Sequence, residues 1–234
     1  MFDEFEQCDS ETRIIAEKVV DLGVTVEDAF KSAISLLFTR DWSSAFTMFP
    51  PTLDIAPITL AGKCIALMTR WSLPSDRLRY VMALQHGAIE FDEILTIISR
   101  IAERSRHLDD DFEKYLYIIG PNGTQAFYQL LQSAHVQLRG CVMALNLMQS
   151  ETASYVIAQD NRLDQAYFET QSAIKNALVN DMELTLPLGY ISVIVGDIEQ
   201  IGNHITRICQ RVEAAASGGL FTPIASDASI AAIM

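Results

Sequence analysis

No C-x-x-C pair occurs in this chain, whose four cysteines, Cys8, Cys64, Cys141 and Cys209, stand far apart. That spacing excludes a zinc knuckle and a sequence-adjacent redox dithiol, and free thiols fit a reducing cytoplasm. Nowhere do about 18 apolar residues run together, so no membrane span and no direct membrane insertion are expected. The stretch MFDEFEQCDSETR at the amino terminus is acidic where a secretory signal needs a basic region and then an apolar one. Positive charge is also scarce. With 17 basic residues against 30 acidic ones the net charge is −13, a field that repels phosphate backbones, so nucleic acid is not an expected partner. There is no glycine-rich phosphate loop and no G-x-S-x-G elbow, and no local motif unites serine, histidine and acid. Glu90 with Asp92, and the run Asp109, Asp110 and Asp111, are too close in sequence to face each other on a helix and read as solvated acids. The chain is therefore expected not to be an enzyme.

Half of the 234 residues are hydrophobic, which suits a folded protein. Apolar residues recur at steps of three and four almost throughout, the helical period, and alternating strand-like runs are rare. The fold class is all-α. Breakers at FPPTLDIAP, WSLPSD, HLDDDFEKYLYIIGPNGT, NDMELTLP and SGGLFTPIAS divide the chain into six predicted helices near residues 11–47, 55–71, 75–106, 124–149, 152–180 and 187–216. The sixth carries Ile191, Ile194, Ile198, Ile201, Ile205, Ile208 and Val212, a bundle seam. The third carries a similar series from Val81 to Ile101, and the two helices follow the related starts SLP and TLP. The first and fourth helices also rhyme, Val26 answering Val136 at an offset of 110. Two tandem, pseudo-symmetric three-helix bundles are predicted: a first repeat over 1–106, a linker over 107–123, a second repeat over 124–216 and a C-terminal tail over 217–234.

Oxygen donors stand at helical spacing in the second half. Asp160 and Asp164 are four apart on the fifth helix, and Glu199 and Asn203 are four apart on the sixth, with His204 beside them. Two facing helices that each present acids at i and i+4 make a cage of hard ligands for a metal ion. His86 and His135 sit in helical runs and are read as lacking acids at ligand spacing, His107 lies at a helix end, where a cation favours the dipole, and Met143, Met148 and Met182 read as core filler. The pieces Glu199, Ile201, Gly202, Asn203, His204 and Ile208, preceded by Asp160, Leu163, Asp164 and Tyr167, resemble the second half of the PhoU family. The duplicated three-helix plan extends the resemblance over residues 11 to 216.

The resemblance implies a cytoplasmic negative regulator of phosphate uptake and phosphate-responsive signalling. It would act by docking on a phosphate transporter's ATPase or on a membrane-bound sensor kinase. It also implies metal ions, iron, zinc or another divalent cation, held by E/D-x-x-x-D motifs. Here the pattern is worn: Asn203 stands where the motif closes on an aspartate, and the first half keeps only Asp54 and Asp92, with Thr96 and Leu95 where acid and glycine would follow. An amide or hydroxyl offsets less of an ion's desolvation than a carboxylate does, so metal-free operation is the alternative. Leftover helix faces predict a homodimer. Two other readings stand beside this one: a divergent helical adaptor for another transporter or regulator, and a carboxylate bundle that handles iron, for which Glu-x-x-His motifs are missing from the key helices.

Overall fold

The computed structural model describes residues 2–39, 56–108 and 112–218. Seven α-helices are found among them: α1 (Phe2–Thr39), α2 (Pro57–Arg70), α3 (Ser75–Ser105), α4 (Phe112–Ile118), α5 (Gly120–Leu147), α6 (Ser150–Asn180) and α7 (Thr185–Ser217). A short 3-10 turn, Met182–Leu184, leads into α7. No described residue lies in a strand, and no described helix is long and apolar enough to cross a membrane.

Local chemistry sets the helix ends. Pro57 opens α2, where its missing N–H would have had no intrahelical partner. Gly218 closes α7 at φ 69°, in the left-handed region that glycine enters without a Cβ penalty. Gly120, at φ 78°, turns the chain between α4 and α5.

The apolar seams then bring four helices to the centre. α3 packs on α7, α1 on α5, α1 on α3 and α5 on α7, while α2 lies against α1 and α3, and α6 against α5 and α7. Each half is thus a three-helix unit, and one continuous apolar core runs through both, from Val19 and Phe91 to Phe127 and Ile205. Contacts such as Phe38 with Phe112, ring centroids 5.2 Å apart, and Phe112 with Phe127 at 5.7 Å tie α4 into that core. The segment expected to link the halves therefore carries a helix of its own, with Phe112, Tyr115 and Leu116 buried.

Burial gives the register of the internal repeat. Buried residues of α3 map onto buried residues of α7 at an offset of 107 (Val81 to Leu188, Phe91 to Ile198, Ile101 to Ile208), and those of α1 map onto α5 at 108 (Val19 to Phe127, Phe30 to Leu138, Leu37 to Leu145). The offset of 110 for the first and fourth helices is corrected: Val26 is 0% exposed, whereas Val136 is 47% exposed on the outer side of α5. Met143 lies on the same outer side and is not core filler. The first helix also begins well before residue 11, and Cys8 and Thr12 already face inward.

Candidate functional site

α6 and α7 meet where a side chain is missing. A Cβ on Gly202 would stand 3.0 Å and 3.1 Å from the two methyls of Leu163 and 3.4 Å from Asp160 Oδ1, so glycine lets α6 lie directly on the α7 backbone. Asp160 is drawn into this contact. Its Oδ1 is buried and has no hydrogen-bond partner among the described residues. Burial, and then the charge of Asp164, push the Asp160 carboxyl up from its ordinary value; the Thr206 hydroxyl draws it back in part without a well-formed hydrogen bond. Burial pushes Asp164 up as well.

Across from them the donors turn elsewhere. Asn203 Nδ2 donates to Glu199 Oε1 at 2.7 Å, so the amide occupies a carboxylate oxygen that a metal would need. His204 points at α3, with Nδ1 2.6 Å from Glu90 Oε2. On α3, Asp92 is exposed; the Thr96 hydroxyl donates to the Asp92 backbone carbonyl at 3.1 Å and is spent on the helix itself. Asp54 lies outside the described residues. Among the described residues no three His, Cys, Asp or Glu side chains converge to hold a metal ion. The donor set of Asp160, Asp164, Glu199, Asn203 and His204 does not fit a metal cluster: one oxygen is taken by an amide, the imidazole faces away, and burial favours the protonated form of both aspartates.

A second constellation lies on the α3–α7 seam and escaped sequence reasoning. Asp197, 4% exposed, receives Arg100 Nη2 on Oδ1 at 3.3 Å and Arg104 Nη1 on Oδ2, and Arg100 Nη2 also donates to Gln200 Oε1 at 3.2 Å. At the other end of the seam Glu90 takes His204 and, at 3.8 Å, Arg207. The repeat register maps Glu90 onto Asp197 and Arg100 onto Arg207, so these are two copies of one device related by the pseudo-twofold axis. The signal was present in the sequence as that register. His135, assigned no acid from spacing, likewise bridges the α1–α5 seam, Nε2 to Glu27 Oε1 at 3.1 Å, where Lys31 also pairs with Glu27. Lys31 and His135 together hold the Glu27 carboxyl below its ordinary value, although burial works the other way and is the largest single influence.

A groove of about 700 Å³ runs between α5 and α6, lined by Gln129, Gln132, Tyr155, Gln159, Arg162 and Gln165 among others. Its amides offer donors and acceptors to a polar group, and its lining residues include no nucleophile–base pair.

Residues 127–212, most of α5 and all of α6 with most of α7, match the family model described as PhoU domain. This stretch carries a PhoU domain. Its fold agrees over nearly the whole length with the phosphate transport system regulatory protein PhoU from Streptococcus pneumoniae, at TM-score 0.78 and 19% identity, covering 92% of this chain and 100% of that one. PhoU from Pseudomonas aeruginosa matches at TM-score 0.65 and 15% identity, covering 93% of this chain and 100% of that one. No curated protein sequence matches significantly. The PhoU-domain match falls on the half that retains Gly202 and the paired aspartates, and the first half shares its architecture.

Proposed function

We propose that this protein regulates phosphate transport by docking on a protein partner in the cytoplasm, either the transporter's ATPase or a membrane sensor kinase that reads phosphate status. The observation that carries the reading is the PhoU domain at 127–212 within a fold that overlays 92% of the chain on a phosphate transport system regulatory protein. The chemistry on the surface suits binding better than bond breaking. Val136, Met143 and Leu147 along α5 and Tyr155 on α6 are exposed apolar side chains beside a polar groove, the mixture that docking surfaces use. The same face could serve a homodimer. No metal is required by this reading, and none of its steps passes through one.

Disruption of the gene tests it: phosphate uptake should rise, and uptake unchanged across phosphate levels would count against it. Capture of the tagged protein from its own cells at high and low phosphate identifies the partner. Recovery of a phosphate-transporter ATPase or its sensor kinase supports the proposal; reproducible recovery of an unrelated transporter would shift the assignment to a helical adaptor.

A further inference from the structure

Cys141 on α5 and Cys209 on α7 are both 0% exposed in the shared core, on two helices that pack directly, and the Cys209 thiol lies near enough to perturb that of Cys141. The repeat supplies a comparison within the molecule. At the matching places of the first half, offsets 108 and 107, stand Ala33 and Ala102, both buried, on α1 and α3, which pack in the same way. Small residues are thus what this helix crossing needs, and only the second half fills it with two thiols. Neither of the other two cysteines shares the arrangement: Cys8 lies on α1 and Cys64 on α2.

We infer that Cys141 and Cys209 are a reversible redox pair whose disulfide staples α5 to α7 inside the PhoU domain. Neighbouring thiols on two directly packed helices need only a modest approach to reach S–S bonding distance, and a crossing that takes alanines in the other half places the two backbones close together. In the reaction one thiolate attacks an oxidant of the peroxide class, giving a sulfenic acid and releasing water from the peroxide. The second thiol displaces hydroxide, which leaves as water, so the pair loses two electrons and two protons and the peroxide is reduced to two waters. A dithiol reductant restores the pair by exchange.

Burial sets the rate. The neighbouring Cys209 thiol, with burial, pushes the Cys141 thiol well up, so few thiolates form in the closed core and oxidation proceeds through brief opening of the α5–α7 contact. The pair would then oxidise slowly when the helices are held together and faster when a bound partner loosens them. Once formed, the bond closes a loop across α6 and should stabilise the second half.

The experiment treats the full reduced chain with hydrogen peroxide, quenches by alkylation in denaturant and maps peptides without reduction. The expected result is a peptide linking Cys141 to Cys209, with Cys8 and Cys64 still alkylated, and a rise in Tm that dithiothreitol reverses. Cys141→Ala, which places in the second half the residue that the first half carries, should abolish both link and Tm rise. Because that variant removes a core group, the variant C8A/C64A is the companion: it should keep the link and the Tm rise undiminished. Absence of the Cys141–Cys209 peptide from the folded chain, or its appearance only after unfolding in urea, would overturn the inference.

Discussion

Glu90 on α3 and Asp197 on α7 occupy the same position of the repeat, 107 residues apart, and each receives an arginine from the other's helix: Arg207 lies 3.8 Å from Glu90, and Arg100 lies 3.3 Å from Asp197. The two are unequal in burial, the Asp197 side chain 5% exposed and that of Glu90 19%. Removing one partner of a buried pair costs more than losing an exposed one, because the remaining charges stay desolvated. Asp197→Ala should therefore destabilise the protein by about 1–3 kcal/mol, discounted because both arginines are partly exposed, and Glu90→Ala by less. Urea unfolding of the two variants checks the order.

Asp160 should respond to charge removal in the opposite sense. Its carboxyl is raised above the ordinary 3.8, so folding favours the protonated form, and the charge imposed at neutral pH works against the folded state. The folded chain holds this proton more tightly than the unfolded chain; the resulting stability is complete below 3.8 and is lost as pH rises through the raised value. Asp160→Asn should consequently raise Tm at pH 7, and the gain should vanish below pH 3.8. A metal ion bound at this aspartate would reverse the sign in metal-loaded protein, so Tm with and without added iron or zinc, in both variants, also measures occupancy.

Glycine supplies a matched pair of tests. A Cβ on Gly123 would stand 2.5 Å from the Cβ of Ala173, an atom fixed by its backbone, whereas among the described residues nothing lies within 4 Å of one on Gly62. Gly123→Ala should force α5 and α6 apart at a cost of about 1–3 kcal/mol. Gly62→Ala, on an exposed face of α2, should instead stabilise by about 1 kcal/mol through helix propensity. Chemical denaturation of both variants gives the two signs.

Gln137 is 1% exposed, and neither amide atom has a hydrogen-bond partner among the described residues. Its counterpart in the repeat is Ala29, also buried. A buried amide left unmade costs on the order of 1–3 kcal/mol. Gln137→Leu, of similar volume, should therefore raise Tm. A fall in Tm would show that the amide is satisfied by an internal water molecule, and crystallography of the wild-type protein would locate it.

The helices were legible because their apolar spacing is regular: the isoleucine ladder of α7 is buried residue for residue from Ile191 to Val212. Register was less legible, since Val26 and Val136 are equally apolar and only packing shows that one is core and the other surface. For the site, Asp160 was found from spacing and Gly202 from the family resemblance, and the two meet across α6 and α7. The direction of His204 could not be read, because an imidazole beside an isoleucine stripe can lean either way and the choice depends on which helix lies opposite. Asp197 was missed for the same reason. It stands in the same stretch as Glu199, but its arginines come from a helix nearly 100 residues earlier, and local sequence does not show that α3 and α7 pack together. The proline-containing segment near Asp54 and most of the predicted tail lie outside the described residues.

The continuous core has a consequence for how this chain can be taken apart. α1 and α3 shield the inner sides of α5 and α7, so cutting the protein into its two repeats would expose two apolar surfaces at once and leave Asp197 without Arg100 and Arg104. Neither repeat should therefore fold on its own: the two are expected to unfold together, and a displacement in one should be transmitted to the other through the shared core side chains.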